Sequence, residues 1–397
     1  MNKSKTFFSA AAVFYFIIGL EVLIMISPFA GFFYSAFNPF LLATSKFTAT
    51  RWLSVFFLPH MVVPPDAFLK FIRVMGSVFF VGGISLFFIC AFLVYRAKFL
   101  KKGAVVKGLY TFIRHPQYAA LITAGIGLAV LWPRFLVLVL WLFMVLCYYL
   151  LSKDEEQRML KLHNKDYSRY MTQTGMFLPK RIEQVIMPRS VTGGIAAFVL
   201  LSVITIATGF SLRSYTISHL SSWTDNNNIT AVSIMNEDKF KMDHRMAQVL
   251  EIEEIKSHIK ADEKYLVYFL PPNYIMQGLI ADTGDNWKLY KQHHAISMIT
   301  DWVFHPFSHL CQAHSAMEHN GNVAAHMKHR AAGTVIRKLI FLKIPNVNNI
   351  ALSGMLAINA KREPQFMADV DIHNLKLITF KELSGDTGWG NIPVPTF

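Results

Sequence analysis

Long apolar stretches separated by short polar ones dominate the first 212 residues. They cover Phe7–Tyr34, Val74–Tyr95, Gln117–Trp132, Phe135–Leu151 and Val191–Leu212. A helix needs about 20 apolar residues to cross a bilayer core of about 30 Å. The pattern therefore predicts an α-helical integral membrane bundle of about five transmembrane helices. The first run is too long for a cleaved signal peptide and shows no small-residue cleavage site, so it reads as a retained span, with the lone carboxylate Glu21 inside it. Trp52–Val63 is apolar but short, and Pro59, Pro64 and Pro65 interrupt it. It reads as an interfacial or re-entrant piece.

After residue 212 the pattern changes. Asn236–Lys260 carries apolar residues at helical spacing. Tyr265–Leu270, Val335–Ile344, Ile350–Ala360 and Ile372–Leu383 read as strands, with turn signals at Pro271-Pro272-Asn273 and Pro345-Asn346. The expected division is a membrane domain over 1–212 and a small soluble α+β domain over 213–397.

Composition and charge agree. Of 397 residues, 53% are hydrophobic and 16% charged; soluble chains carry about 25% charged residues. The net charge is +14. All the excess lies in the apolar half, where it suits basic loops against an anionic membrane surface. The tail is balanced, and nucleic acid is not an expected partner. Three cysteines, two of them in apolar runs, exclude a disulfide framework. Arg96, Lys98, Lys101, Lys102, Lys107 and Arg114 follow the second span with no acid among them. The positive-inside rule puts that loop, and the polar segment after the fourth span, in the cytoplasm, and the tail on the opposite side. The expected membrane is a bacterial inner membrane or the endoplasmic reticulum.

Residues able to do chemistry concentrate in 108–179. Gly108 and Tyr110 precede Arg114-His115-Pro116-Gln117-Tyr118, and Asp154-Glu155-Glu156 follow the apolar hairpin. Each hairpin arm is about 25 Å long at 1.5 Å per residue. Arms of equal length return the chain to the face it left, so the Arg-His-Pro and Glu-Glu ends should meet. Tyr167, Tyr170 and Pro179 complete the segment.

These motifs resemble the isoprenylcysteine carboxyl methyltransferases and the related phospholipid and thiol methyltransferases of membranes. The resemblance rests on Gly108-Leu109-Tyr110, Arg114-His115-Pro116-Gln117-Tyr118, a hairpin of matching length, Glu155-Glu156 with Leu160, Tyr167-Ser168-Arg169-Tyr170 and Pro179. It departs from the family at His163-Asn164, where Phe-Gly is usual. The resemblance implies S-adenosyl-L-methionine as cofactor, held at the cytoplasmic ends of the hairpin. It implies Arg114 and Glu156 as catalytic residues, and Tyr110, His115, Pro116, Tyr118, Glu155 and Glu156 as cofactor-binding residues. The chemistry suits them: carboxylates hold an ammonium and ribose hydroxyls, and Arg114 or a protonated His115 receives a carboxylate. The expected acceptor is a hydrophobic small molecule or a lipid entering from the bilayer. The rival reading is a non-catalytic sensor or carrier whose tail binds the ligand.

The tail holds 12 of the 15 histidines, eight of them between His293 and His329. His305 and His309 are spaced to share a helix face. Without a third ligand motif they read as surface histidines, and no metal is expected.

Overall fold

The computed structural model describes residues 47–59, 66–100, 107–162, 164–186, 190–225, 228–233, 242–270, 336–345, 351–358 and 360–383. The chain divides into two compact units, one containing residues 72–208 and the other containing 39–71 together with 209–397.

The first unit is helical, and its first and last described helices continue past its bounds into residues 67–71 and 209–218. Helix α1 (Ala67–Phe99) is followed by α2 (Pro116–Leu131), α3 (Phe135–Leu162), α4 (Asn164–Gln173), α5 (Lys180–Ile186) and α6 (Val191–Ser218). Three of these, α1, α3 and α6, are long and apolar enough to cross a membrane. Helix α2 is apolar but has 16 residues. Against the expected count of about five, the described residues hold three such helices and one shorter apolar one; Phe7–Tyr34 and Glu21 lie outside them. The charged end of α3 explains its length: apolar positions run to Leu151 and the same helix continues through Glu155 and Glu156.

Small residues set the helix packing. A Cβ on Gly83 would lie 2.6 Å from Ala124 N and 2.7 Å from Ala120 O. One on Gly127 would run into Phe80 N and sit 2.5 Å from Gly76 O. The backbones of α1 and α2 therefore touch, the arrangement by which membrane helices gain packing energy without a hydrophobic driving force. Gly125 makes room for the Trp141 indole, whose Nε1–H donates to Ile122 O at 3.0 Å and joins α3 to α2. Tyr118, Leu121, Leu128, Val137, Met144 and Tyr148 form the core between them.

The second unit contains a mixed six-stranded sheet in the order β1-β2-β3-β4-β5-β6. Its strands are β1 (Ser221–Thr224), β2 (Ile229–Ser233), β3 (Tyr265–Leu270), β4 (Ile336–Lys343), β5 (Glu363–Asp371) and β6 (Lys376–Glu382). Only β2 and β3 are parallel. A parallel pair needs a crossover, and α7 (Met242–Leu250) and α8 (Glu253–Ser257) supply it. Both faces of β3 are buried. Val267, Phe269, Phe341 and Phe366 meet Met246 and Val249 on one face. Leu266, Tyr268, Ile340 and Leu342 meet Met355 and Leu356 on the other.

Residues 39–71 fall with the tail rather than with the expected domain 1–212. The reason is Arg213, which is buried and donates to Phe56 O at 2.5 Å and Leu356 O at 2.6 Å. Val55–Leu58 are buried with it. Trp52, read as the start of an interfacial piece, sits in a 3-10 turn at Arg51–Ser54 with its ring 6.0 Å from that of Phe210.

The strands expected at Tyr265–Leu270 and Val335–Ile344 are present, the second as Ile336–Lys343. The strand expected over Ile350–Ala360 is a short helix, α9 (Leu352–Met355). Leu352, Met355 and Leu356 are spaced to share one helical face, which turns to the sheet. The strand expected over Ile372–Leu383 is β6, preceded by a tight turn at 372–375 and by β5, which had not been expected. The expected helix Asn236–Lys260 is two helices, broken at Glu251-Ile252; residues 236–241 lie outside the described ones.

Candidate functional site

Pro116 starts α2 at its first turn, where a missing N–H costs nothing. His115 is the residue before it, so the Arg114-His115 pair sits at the polar mouth of the α2–α3 hairpin. On α3, Tyr148, Ser152 and Glu156 are spaced four apart and all buried, so they share the inward face. The hairpin closes as its arm lengths predict: Arg114 Nε donates to Glu156 Oε1 at 2.6 Å across 42 residues.

Five of the expected site residues meet there. Arg114, His115 and Glu156 are 8%, 4% and 2% exposed. His115 Nδ1 lies 3.3 Å from Glu155 Oε2, and Nε2 lies 3.6 Å from Glu156 Oε1. Both ring nitrogens are buried, and each faces a carboxylate. Tyr118 donates its hydroxyl to Glu155 Oε1, and its ring stacks between Tyr148 and His115, at 4.9 and 5.8 Å. The Glu155 side chain is 36% exposed, the more open of the two carboxylates. Lys153 Nζ stands 4.0 Å from Glu156 Oε2.

Burial alone would lower the pKa of His115. The two facing carboxylates outweigh it and raise the pKa above the ordinary value, which favours the imidazolium. Burial also pushes the Tyr110 and Tyr167 hydroxyls up, aided at Tyr167 by Glu156, so both stay protonated.

Tyr110 stands one step away. Its hydroxyl is directed to Gln117 Oε1 at 3.2 Å and Cys90 O at 3.4 Å, while its carbonyl accepts the Tyr170 hydroxyl. Pro116 contributes the helix start. Several participants carry no motif. The turn 174–179 after α4 lies along 112–115: Arg114 N donates to Gly175 O at 2.8 Å, His115 N to Met176 O at 3.0 Å, and Gly175 N to Phe112 O at 3.3 Å. Arg114 also donates from its guanidinium to Thr174 O. Backbone carbonyls can belong to any residue type, so the one available signal was Gly175: a Cβ there would collide with Leu178 O.

Among the described residues no group of three His, Cys, Asp or Glu could hold a metal ion. His305 and His309 lie outside them.

Most of the site lies within a stretch that matches a family model. Residues 75–166 match the family model described as phospholipid methyltransferase. That range includes the Arg-His-Pro and Glu-Glu motifs and ends before Tyr167. No curated protein and no solved structure gives a significant match.

Proposed function

We propose that this protein is an S-adenosylmethionine-dependent methyltransferase of the membrane acting on a lipid-like or hydrophobic acceptor. The observation that carries this reading is the convergence of Arg114 and His115 with Glu155 and Glu156 at one end of the hairpin, inside the stretch that matches the phospholipid methyltransferase model. The donor set suits the cofactor. A buried imidazole stands between two carboxylates, one of them partly exposed, so a cation and an anion site lie side by side.

The roles follow from what each group has left to give. Arg114 directs its guanidinium to Glu156 and Thr174 O, so it holds Glu156 in place and keeps that carboxylate ionised. Glu155, oriented by Tyr118, receives the cofactor's ammonium. His115, as imidazolium, receives its carboxylate. S-adenosylmethionine supplies an electrophilic methyl group on a sulfonium. Transfer is an in-line displacement, and positioning provides most of the acceleration. A carboxylate or thiolate acceptor needs no base; an amine must first lose a proton.

The test is to supply membranes holding the protein with methyl-labelled S-adenosylmethionine and to ask which fraction, lipid, volatile or protein, gains label. Label in one fraction is expected. In Glu155→Gln, which removes the carboxylate proposed to receive the ammonium, cofactor affinity should fall roughly 10- to 150-fold, the loss of one charge-assisted hydrogen bond. No labelled product together with unchanged affinity in the variant would end the proposal. The site is proposed to be cytoplasmic and the tail to lie across the membrane, from the six basic residues of 96–116. Cysteine accessibility at position 103 against position 225 reads this, and labelling of both from one side would contradict it.

A further inference from the structure

The turn that grips Arg114 and His115 is itself held from behind. Glu183, in the first turn of α5, accepts a hydrogen bond from Met176 N through Oε2. The partner group matters. Met176 N–H and Gly175 C=O belong to one peptide unit. Its N–H faces Glu183, and its C=O receives Arg114 N at 2.8 Å. The next carbonyl, Met176 O, receives His115 N. A carboxylate on the N–H side fixes the plane of that peptide and polarises its carbonyl, which strengthens the bond on the other side. Gly175 leaves the space this requires, since a Cβ there would meet Leu178 O and come within 2.7 Å of Glu183 Oε2. Glu183 also lies outside both the matched stretch 75–166 and the motifs that end at Pro179.

We infer that Glu183 is a positioning residue for the site: through the Gly175–Met176 peptide it sets the main chain of Arg114 and His115, and so the place of both cationic side chains. Among the described residues it makes no ion pair with the site's charged groups. The inference rests on the methyltransferase reading for its kinetic consequence, but not for its structural one.

The experiment compares Glu183→Ala, Glu183→Gln and the unaltered full-length protein in detergent or nanodiscs. The first readout is hydrogen exchange at the amides of Arg114 and His115, which needs no cofactor. Glu183→Ala should speed exchange there at least tenfold while amides within α2 and α3 keep their protection. Glu183→Gln, which retains a carbonyl acceptor, should restore most of the protection. The second readout is methyl transfer. Glu183→Ala should raise the KM for S-adenosylmethionine about tenfold with a smaller change in kcat, and the glutamine variant should recover most of it. Unchanged exchange at 114 and 115 in Glu183→Ala, or equal behaviour of the alanine and glutamine variants, overturns the inference. Loss of protection throughout α2 and α3 also overturns it, because Glu183 would then be a general stabiliser. If the unaltered protein neither binds nor uses S-adenosylmethionine, the functional reading falls, and the exchange arm still decides whether Glu183 positions the turn.

Discussion

In the helical unit the closest approaches occur where side chains are missing. Gly83 and Gly127 let α1 and α2 meet backbone to backbone, and Gly76 makes room for the Val130 side chain. In the sheet unit the centre is filled instead by large aromatic residues. Phe341 is fully buried and stacks on Phe366 at 4.3 Å, with Phe269 and Tyr265 in the same layer. Solvent explains the difference. A sheet in water gains by burying area, so its core is built from volume. Helices among lipid chains gain little from burial and must gain from close contact. Both units bury charge. The helical unit brings Arg114, His115 and Glu156 together at one end of a hairpin, and the sheet unit buries Arg213, Arg337 and Lys338, while Glu263 and Lys343 pair at 2.6 Å on its flank.

The sharpest way to break this contrast is a pair of opposite substitutions. In the sheet unit, loss of volume should hurt most: Phe341→Ala should cost about 3–5 kcal/mol. The measurement is the opening free energy of β3 and β4 amides by hydrogen exchange in the full chain. In the helical unit, gain of volume should hurt: Gly127→Val should cost about 2–3 kcal/mol, because the new atoms meet the backbone of α1 rather than a movable side chain. Thermal unfolding of the detergent-solubilised protein reads it. If Gly127→Val is harmless, the close approach of α1 and α2 is not what holds them.

A smaller effect sharpens the electrostatic half. His115 has a raised pKa, so the stabilisation from its ion pairs is complete below its ordinary value of 6.5 and is lost as pH rises through the raised one. Glu263 behaves oppositely. Hydrogen bonds from Lys343, and also from Tyr265 and Lys260, hold its pKa down to about 2 from an ordinary 4.5. Its contribution is present above about 4.5 and is lost as pH falls through about 2. The His115 contribution to the helical unit should fade on the alkaline side, and the Glu263 contribution to the sheet unit on the acid side. His115→Gln and Glu263→Gln should each flatten only the matching limb of a stability–pH profile, shifting midpoints by no more than about 3 °C. Loss of the wrong limb would show that other groups set the profile.

What could be read from residues alone follows the same division. The meeting of Arg114 with Glu156 was legible because two apolar arms of equal length allow one closure. The fully apolar run Tyr265–Leu270 announces a buried strand. By contrast β5 hides its alternation: Phe366, Ala368 and Val370 are buried in turn, but Lys361-Arg362-Glu363-Pro364 precedes them and resembles a loop. Ile350–Ala360 is ambiguous because a short apolar run fits either period. The grip of Thr174, Gly175 and Met176 on Arg114 and His115 was out of reach, since it is made by main-chain oxygens. The packing role of Gly127 was also hidden, because glycine is common in membrane helices and only the neighbouring chain shows what it admits.

The pairing of Leu270 with Lys338 joins two central strands that are about 65 residues apart along the chain. That separation has a consequence in time. At about 5–20 residues per second, synthesis of the intervening stretch takes roughly 3–13 s. During that interval β3 is complete and its neighbour does not yet exist. The nascent sheet therefore waits with one edge bare and a run of Tyr, Leu, Val and Phe exposed on it, the kind of edge that recruits foreign strands. The finished domain conceals this edge, and the ribosome exposes it on every pass.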